Sequence, residues 1–291
     1  MQDRFPSPAL YRRLKQLWRL SRHYTHSEAD DTSFAGEWDS MRRYLRILGI
    51  DSGVVVDIAA SDGVSQSCTL PLFRNPSWSG LAVEMDPKKF AQLAYVYAGY
   101  GNSRLARCRV TPENIVSLLQ AYEIPRDFDV LNLDIDSYDL FIVKEMLVHG
   151  LRPKLISMEI NEKLPPPLYF TVLYDRSHYW QHDHFFGCSL VAAAQTVRPF
   201  GYVLASLEYN NAMFVRSDLA QGKIADLPVS KAYDDGYRNK ADKNRIFPWN
   251  ADVERALGMT AQDALAFFAA LFEKYQGKFE LRVAAGSAPS D

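Results

Sequence analysis

The 291-residue chain lacks an excess of charge of either sign. It carries 33 Lys and Arg against 35 Asp and Glu, a net charge of −2. That leaves no global basic field for nucleic acid. It also lacks long apolar runs: none approaches the roughly 18 residues of a membrane span. The N-terminus, "MQDRFPSPALYRRLKQLW", has neither the apolar core nor the small-residue cleavage site of a signal peptide. Cysteine is scarce. Cys68, Cys108 and Cys188 are widely spaced and odd in number, which fits reduced thiols in a cytoplasmic protein better than a disulfide frame or a zinc site. There are no internal repeats and no low-complexity segment. What is present is ordinary for a soluble globular chain, with 47% apolar and 23% charged residues and enough length to bury a core.

Residues 8–23 read as a helix with Leu10, Leu14, Leu17 and Leu20 on one stripe and five basic residues beside it. The helix either covers the main domain with a solvated face or touches a membrane surface or polyanion. Residues 24–33 are a polar linker, and a second helix is expected over 35–48. From residue 53 the pattern changes. "GVVVDIAA" is a short β-branched run of the kind found in parallel strands buried on both faces. Strand and helix then alternate five times over about 110 residues. Strands are expected at "SGLAVEMD", 104–110, "FDVLNLDI" and "KLISMEI", with helices over 64–73, 87–98, 112–122 and 138–148. This argues an α/β, doubly wound, mostly parallel sheet. An irregular stretch (162–186), a helix (187–199) and the hairpin "GYVLASLEY"–"NAMFVR" follow, so the sheet is expected to end with an antiparallel strand. The remainder is polar loop, then a helix over 260–276 capped by Thr260, then a frayed tail. The expected division is an N-terminal helical extension (1–50), a core (51–217) and a C-terminal extension (218–291).

In open α/β sheets ligands bind outside the carboxyl ends of the strands. Those ends are unusually polar here. "VVVDIAASDG" places Asp57 at the end of the first strand, followed by a turn of small residues: Ala59, Ala60, Ser61 and Gly63. Small residues let the backbone approach a ligand. The second strand ends in Glu84, 27 positions after Asp57, where an acid can accept both hydroxyl hydrogens of a ribose. The three-glycine dinucleotide fingerprint is absent, which counts against NAD.

This spacing resembles the class I S-adenosylmethionine-dependent methyltransferases over roughly residues 53–217. It departs from them at Ala59 and Ser61, where glycines are commonest. The resemblance implies a seven-stranded Rossmann-like methyltransferase fold with helical N- and C-terminal extensions, and S-adenosyl-L-methionine as cofactor. Asp57, Ala59, Ser61 and Gly63 would then lie by the methionine part and Glu84 on the ribose. Arg109, with Cys108 and Val110, would lie near the adenine, and Asp134 near the methionine amino group.

The fourth strand ends in "DIDSYD" and the fifth in "MEIN". Adjacent parallel strands lie about 4.8 Å apart, so Asp134 or Asp136 can face Glu159. Two unit charges 4 Å apart repel by roughly 4 kcal/mol at an effective dielectric of 20. Protonation or a cation would relieve this. The arrangement resembles O-methyltransferases of the catechol, macrolide-sugar and FkbM-like groups, which implies a divalent ion such as Mg²⁺ on Asp134, Asp136, Glu159 and Asn161. The alternatives are local: Asp136 or Ser137 caps the next helix, and Asp139 favours its dipole.

"EKLPPPLYFTVLYDRSHYWQHDHFFG" supplies three prolines, seven aromatics and His178, His182 and His184. It reads as a substrate wall. His184 and His182 are candidate general bases, with Asp183 as a metal ligand or orienting partner. Trp180, Phe185 and Phe186 either stack on a sugar or aromatic ring or pack the core. The expectation is O-methylation of a small-molecule, sugar or glycan acceptor, with no nucleic acid partner and no membrane span. The terminal extensions would form a lid or a homo-oligomer contact. The alternatives are a metal-independent N-methyltransferase, or a binding or assembly protein that kept the fold without catalysis.

Overall fold

A computed structural model describes residues 31–284. The basic helix expected over 8–23, most of the 24–33 linker and the tail beyond residue 284 lie outside the described residues. The first helix described, α1 (Glu37–Leu48), buries Met41, Tyr44 and Leu45 at helical spacing. Glu37 and Asp39 sit in its first turn and Arg46 in its last, matching the helix dipole. It packs across two strands of the main sheet, Leu155–Glu159 and Asn211–Arg216.

That sheet has seven strands: β1 (Gly53–Ile58), β2 (Trp78–Val83), β3 (Ser103–Ala106), β4 (Val130–Leu133), β5 (Leu155–Glu159), β7 (Tyr202–Glu208) and β8 (Asn211–Arg216). Their spatial order is β3-β2-β1-β4-β5-β8-β7. The first five are parallel, and β8 runs antiparallel to both neighbours. This is the mostly parallel, doubly wound sheet of the Rossmann-like methyltransferase fold. The antiparallel strand is the last of this sheet in sequence, as expected, but it is not at the edge. Five of its six residues are buried, which fits an interior place in the sheet. β8 inserts between β5 and β7.

Helices cover both faces: α2 (Leu70–Arg74), α3 (Pro87–Tyr97), α4 (Ile115–Ala121), α5 (Asp139–Val148) and α6 (Leu190–Val197). Asp86 caps α3, accepting from the backbone of Lys88 and Lys89 at 2.8 and 2.9 Å. The helix expected over 64–73 is reduced to α2, because residues 59–69 form a turn with Ala59, Ser61, Gly63 and Gln66 at positive φ. β3 likewise stops at Ala106, leaving Cys108–Val110 as loop at the functional edge.

The stretch expected to be irregular contains a strand, β6 (Leu168–Val172). It pairs antiparallel with β9 (Phe279–Val283), which was not anticipated. Between them in sequence lies α7 (Ala261–Leu271), capped by Thr260 Oγ1 accepting from Asp263 N at 3.2 Å. Phe170, Phe185, Phe268 and Phe272 form a small core beneath this second sheet. Residues near the C-terminus thus clamp the segment that follows β5. Among the described residues no helix is long and apolar enough to cross a membrane.

Candidate cofactor and acceptor site

Register places the ends of β1, β2 and β4 level. Asp57 is opposite both Ala82 and Asn132, and Leu133 is opposite Ile58 and Met158. The residues just beyond converge on a cavity of about 260 Å³. Asp57, Ala59, Ser61, Glu84, Arg109 and Asp134, all expected at a cofactor site, line it together.

Asp57 is buried and accepts from Thr69 Oγ1 at 2.5 Å and Asn132 Nδ2 at 2.9 Å. Burial raises its pKa, opposed by these two hydrogen bonds. It braces the turn against β4. That turn explains the two departures from glycine. Ala59 (φ 69°) and Ser61 (φ 52°) adopt the left-handed conformation that glycine would take there without steric cost. Ser61 N donates to Glu84 Oε2 at 2.9 Å, and Asp86 N donates to Oε1 at 2.6 Å. Gly63 is not on the cavity wall. A Cβ there would sit 2.6 Å from Leu93 Cδ1 and 2.9 Å from Tyr97 Cε1, so Gly63 lets the turn close on α3 instead of touching a ligand. Arg109 reaches the wall but also holds the loop opposite, donating through Nη1 to the carbonyls of Arg176 (2.8 Å) and His178 (3.2 Å).

Asp134, Asp136 and Glu159 converge as the strand ends required, each offering a carboxylate oxygen within 4.8 Å of the others. Burial, then the charge of Asp136, pushes Asp134 up to about 8. Burial and the charges of Asp134 and Asp136 hold Glu159 well above the usual carboxylate range. Asp136 adopts φ 56°. Neither it nor Ser137 caps α5. Asp139 does the local work, accepting from Ile135 N at 2.8 Å and Ser137 N at 3.0 Å, and burial raises its pKa to about 6. Asn161 does not join the cluster. It lines neither cavity: its Nδ2 donates to the carbonyls of His184 (2.9 Å) and Phe186 (3.0 Å), tethering the loop, and its Oδ1 accepts from Lys163 N at 3.4 Å.

A second cavity, of about 450 Å³, shares Asp136 with the first. Glu159, Trp180, His182, His184, Phe186 and Trp249 are on its wall. His182 is exposed and packs on Trp180, with ring centroids 4.7 Å apart. His184 Nε2 lies 3.1 Å from Asp252 Oδ2. His178 belongs to the other cavity, with Nδ1 2.6 Å from Ser137 Oγ and Nε2 buried without a partner. Asp183 also lines the second cavity, but its carboxylate is already engaged. It accepts from Tyr275 Oη at 2.5 Å and pairs with Lys274 at 2.9 Å, so it anchors the C-terminal segment instead of a metal. Phe185 stacks on Tyr275 at 3.9 Å inside the small core and offers no face to a ligand.

Several wall residues escaped sequence reasoning. Glu37 reaches the first cavity from α1, beside Asn211. Glu162 and Lys163 form a buried ion pair (3.1 Å) on the second, with Lys163 Nζ 4.3 Å from the Phe186 ring centre. A signal existed for the last pair, because adjacent opposite charges stand just after a buried strand, separated from it by Ile160 and Asn161.

No protein-family model matches the chain, and no curated protein matches it. Solved structures similar to it include the N-terminal domain of EvdMO1 in the presence of SAH and D-fucose, 13% identical, with a TM-score of 0.41 over 65% of this chain and 84% of that one. A putative O-methyltransferase from Klebsiella pneumoniae is 15% identical, with a TM-score of 0.41 over 68% and 88%. An S-adenosylmethionine-dependent methyltransferase from Clostridium acetobutylicum is 13% identical, with a TM-score of 0.40 over 71% and 98%. At TM-scores below 0.5 these likenesses assign this chain neither a ligand nor an activity.

Proposed function

We propose that the chain is an S-adenosylmethionine-dependent methyltransferase acting on a hydroxyl of a small-molecule, sugar or natural-product acceptor. One observation carries this reading. An acid-walled cavity at the carboxyl ends of β1, β2 and β4 meets an aromatic-walled cavity at a shared residue, Asp136. The first has the acidic groups to receive a cationic nucleoside, whose own charge would favour their ionised forms. Glu37, Asp57, Glu84, Asp134 and Asp136 outnumber Lys89 and Arg109 on its wall. The second has flat apolar faces and polar groups for a hydroxylated ring.

In this reading Glu84 accepts the ribose hydroxyls, and the backbone of 59–61 approaches the ligand closely. Asp134 and Asp136 mark the crossing point where a methyl donor and a hydroxyl would align, and holding both in line supplies much of the rate. His182 is the better placed general base, because His184 is engaged by Asp252. The all-oxygen set of Asp134, Asp136 and Glu159 fits a hard divalent cation such as Mg²⁺. When bound, such an ion would lower the pKa of a coordinated hydroxyl.

Calorimetry with S-adenosylmethionine tests the reading directly. Saturable binding is expected, and no heat at millimolar cofactor would sink it. Methyl release from active enzyme should fall on chelation and return with Mg²⁺. Turnover indifferent to chelator would remove the metal and leave His182 as base.

A further inference from the structure

We propose that Glu37 is the carboxylate that holds the primary ammonium at the amino-acid end of the cofactor, and that Asn211 and Asn210 set its position from the acceptor cavity. The inference rests on the methyltransferase reading above. Glu37 comes from the first turn of α1, far in sequence from the strand ends, yet it is buried on the cavity wall. Asn211 Nδ2 donates to Glu37 Oε1 at 2.7 Å and to Asn210 Oδ1 at 3.2 Å. Asn210 Nδ2 in turn donates to Glu159 Oε1 at 2.8 Å. Four side chains therefore run without a break from one cavity to the other, with Glu37 and Asn211 on the first wall and Asn210 and Glu159 on the second.

The position of Glu37 along the sheet edge decides which part of a ligand it meets. The edge runs β3, β2, β1, β4, β5, β8. Glu84 directly follows β2, and Glu37 is held by the first residue of β8, at the opposite side of β1 and β4. A nucleoside with its ribose on Glu84 must extend its two ends along this edge. One end goes toward Arg109 beyond β3, and the other toward Asp134 and Glu37. The acidic end is the one that attracts a cation.

Glu37 is also incomplete as it stands. Its side-chain donor, Asn211, is a neutral amide. Burial first, then the negative charges of Asp134, Asp31 and Asp57, hold its pKa well above the ordinary value, opposed by a hydrogen bond from the Phe34 backbone. A carboxylate has about four acceptor sites, so capacity remains beside the Asn211 and Phe34 bonds. A primary ammonium supplies both the missing charge and the missing donors.

The test compares S-adenosylhomocysteine, which has the ammonium, with 5′-methylthioadenosine, which lacks the whole amino-acid end. Binding of both is measured by calorimetry to the wild type and to Glu37→Gln. The variant should lose about 10- to 100-fold in affinity for S-adenosylhomocysteine, the range of a charge-assisted hydrogen bond, and keep its affinity for methylthioadenosine. Retained methylthioadenosine binding doubles as the folding control. Glu37→Asp should recover part of the loss. Asn210→Ala, which leaves the first cavity wall intact, should lower the ratio of the two affinities by a smaller factor. An unchanged ratio in Glu37→Gln, or equal loss of both ligands, overturns the assignment. An unchanged ratio in Asn210→Ala overturns the link. A wild type that binds neither nucleoside overturns the cofactor reading itself, which is a different result from a wild type that binds both.

Discussion

Ser61 donates its backbone N–H to Glu84 Oε2 at 2.9 Å from a left-handed conformation, φ 52°. The end of β2 thus holds the turn after β1, and a residue with a side chain occupies a place where glycine would be unstrained. An L-residue in this region costs roughly 1–2 kcal/mol, and glycine costs roughly 0.5–1 kcal/mol more than alanine in lost chain freedom. Ser61→Gly and Ala59→Gly should therefore be neutral or stabilising by up to about 1 kcal/mol, by urea unfolding, with cofactor affinity kept. Gly63→Ala should do the opposite and lose roughly 1–3 kcal/mol, since its Cβ would lie 2.6 Å from Leu93 Cδ1. Strong destabilisation by Ser61→Gly would mean the serine hydroxyl matters more than the backbone.

Glu84 receives the N–H groups of both Ser61 and Asp86, so its carboxylate is fixed before a ligand arrives. Removing it deletes a ribose acceptor and also loosens the turn. Glu84→Ala should weaken cofactor binding by about 10- to 100-fold, as expected for hydrogen bonds to a charged group. Glu84→Gln should lose less, because one oxygen remains. Unchanged affinity in Glu84→Ala would place the ribose elsewhere.

The acid cluster predicts a stability that falls as pH rises. Asp134 keeps its proton to about 8 in the folded protein against an ordinary value of 3.8. Between those values the native state binds more protons than the unfolded state, so the free energy of unfolding decreases with pH through that window. Asp139 contributes in the same direction up to about 6. Urea midpoints at pH 5, 6, 7 and 8 should decline, and Asp134→Asn should flatten the decline between 6 and 8. Mg²⁺ should stabilise more at pH 8 than at pH 6, because deprotonated carboxylates bind it. A wild-type profile flat across 5–8 would mean that Asp134 is already ionised.

The sheet was legible because each parallel strand is a compact β-branched run ending in polar residues, and that grammar is local. The strand ends Asp57, Glu84, Asp134 and Glu159 followed from it. What escaped depends on contacts distant in sequence. "LYFTV" was hidden behind three prolines, and its partner "FELRV" lies more than a hundred residues later. Glu37 looks like an ordinary acid in a helix first turn until β8 brings Asn211 against it. Periodicity does not distinguish His178 from His182, yet the loop sends them to different cavities. Asn161 had the chemistry of a metal ligand, but it is turned away from both cavities, with Nδ2 on the carbonyls of His184 and Phe186 and Oδ1 toward Lys163 N.

Lys163 and Glu162 provide a test of the acceptor cavity that is independent of catalysis. Both are buried, their charges lie 3.1 Å apart, and Glu162 Oε1 also accepts from Asn250 Nδ2 at 2.6 Å. Glu162 Oε2 is buried without a partner. Breaking a buried pair on one side typically costs about 3–5 kcal/mol because the remaining charge is stranded. Lys163→Met should fall in that range by urea unfolding, far more than the surface pair Arg42–Asp39, where removal should cost less than about 1 kcal/mol. Adding Glu162→Gln to Lys163→Met should recover much of the loss. The amide carries no charge to strand, and its oxygen still accepts from Asn250. Failure of the second substitution to recover stability would locate the cost in lost packing of the Lys163 stem against Phe186.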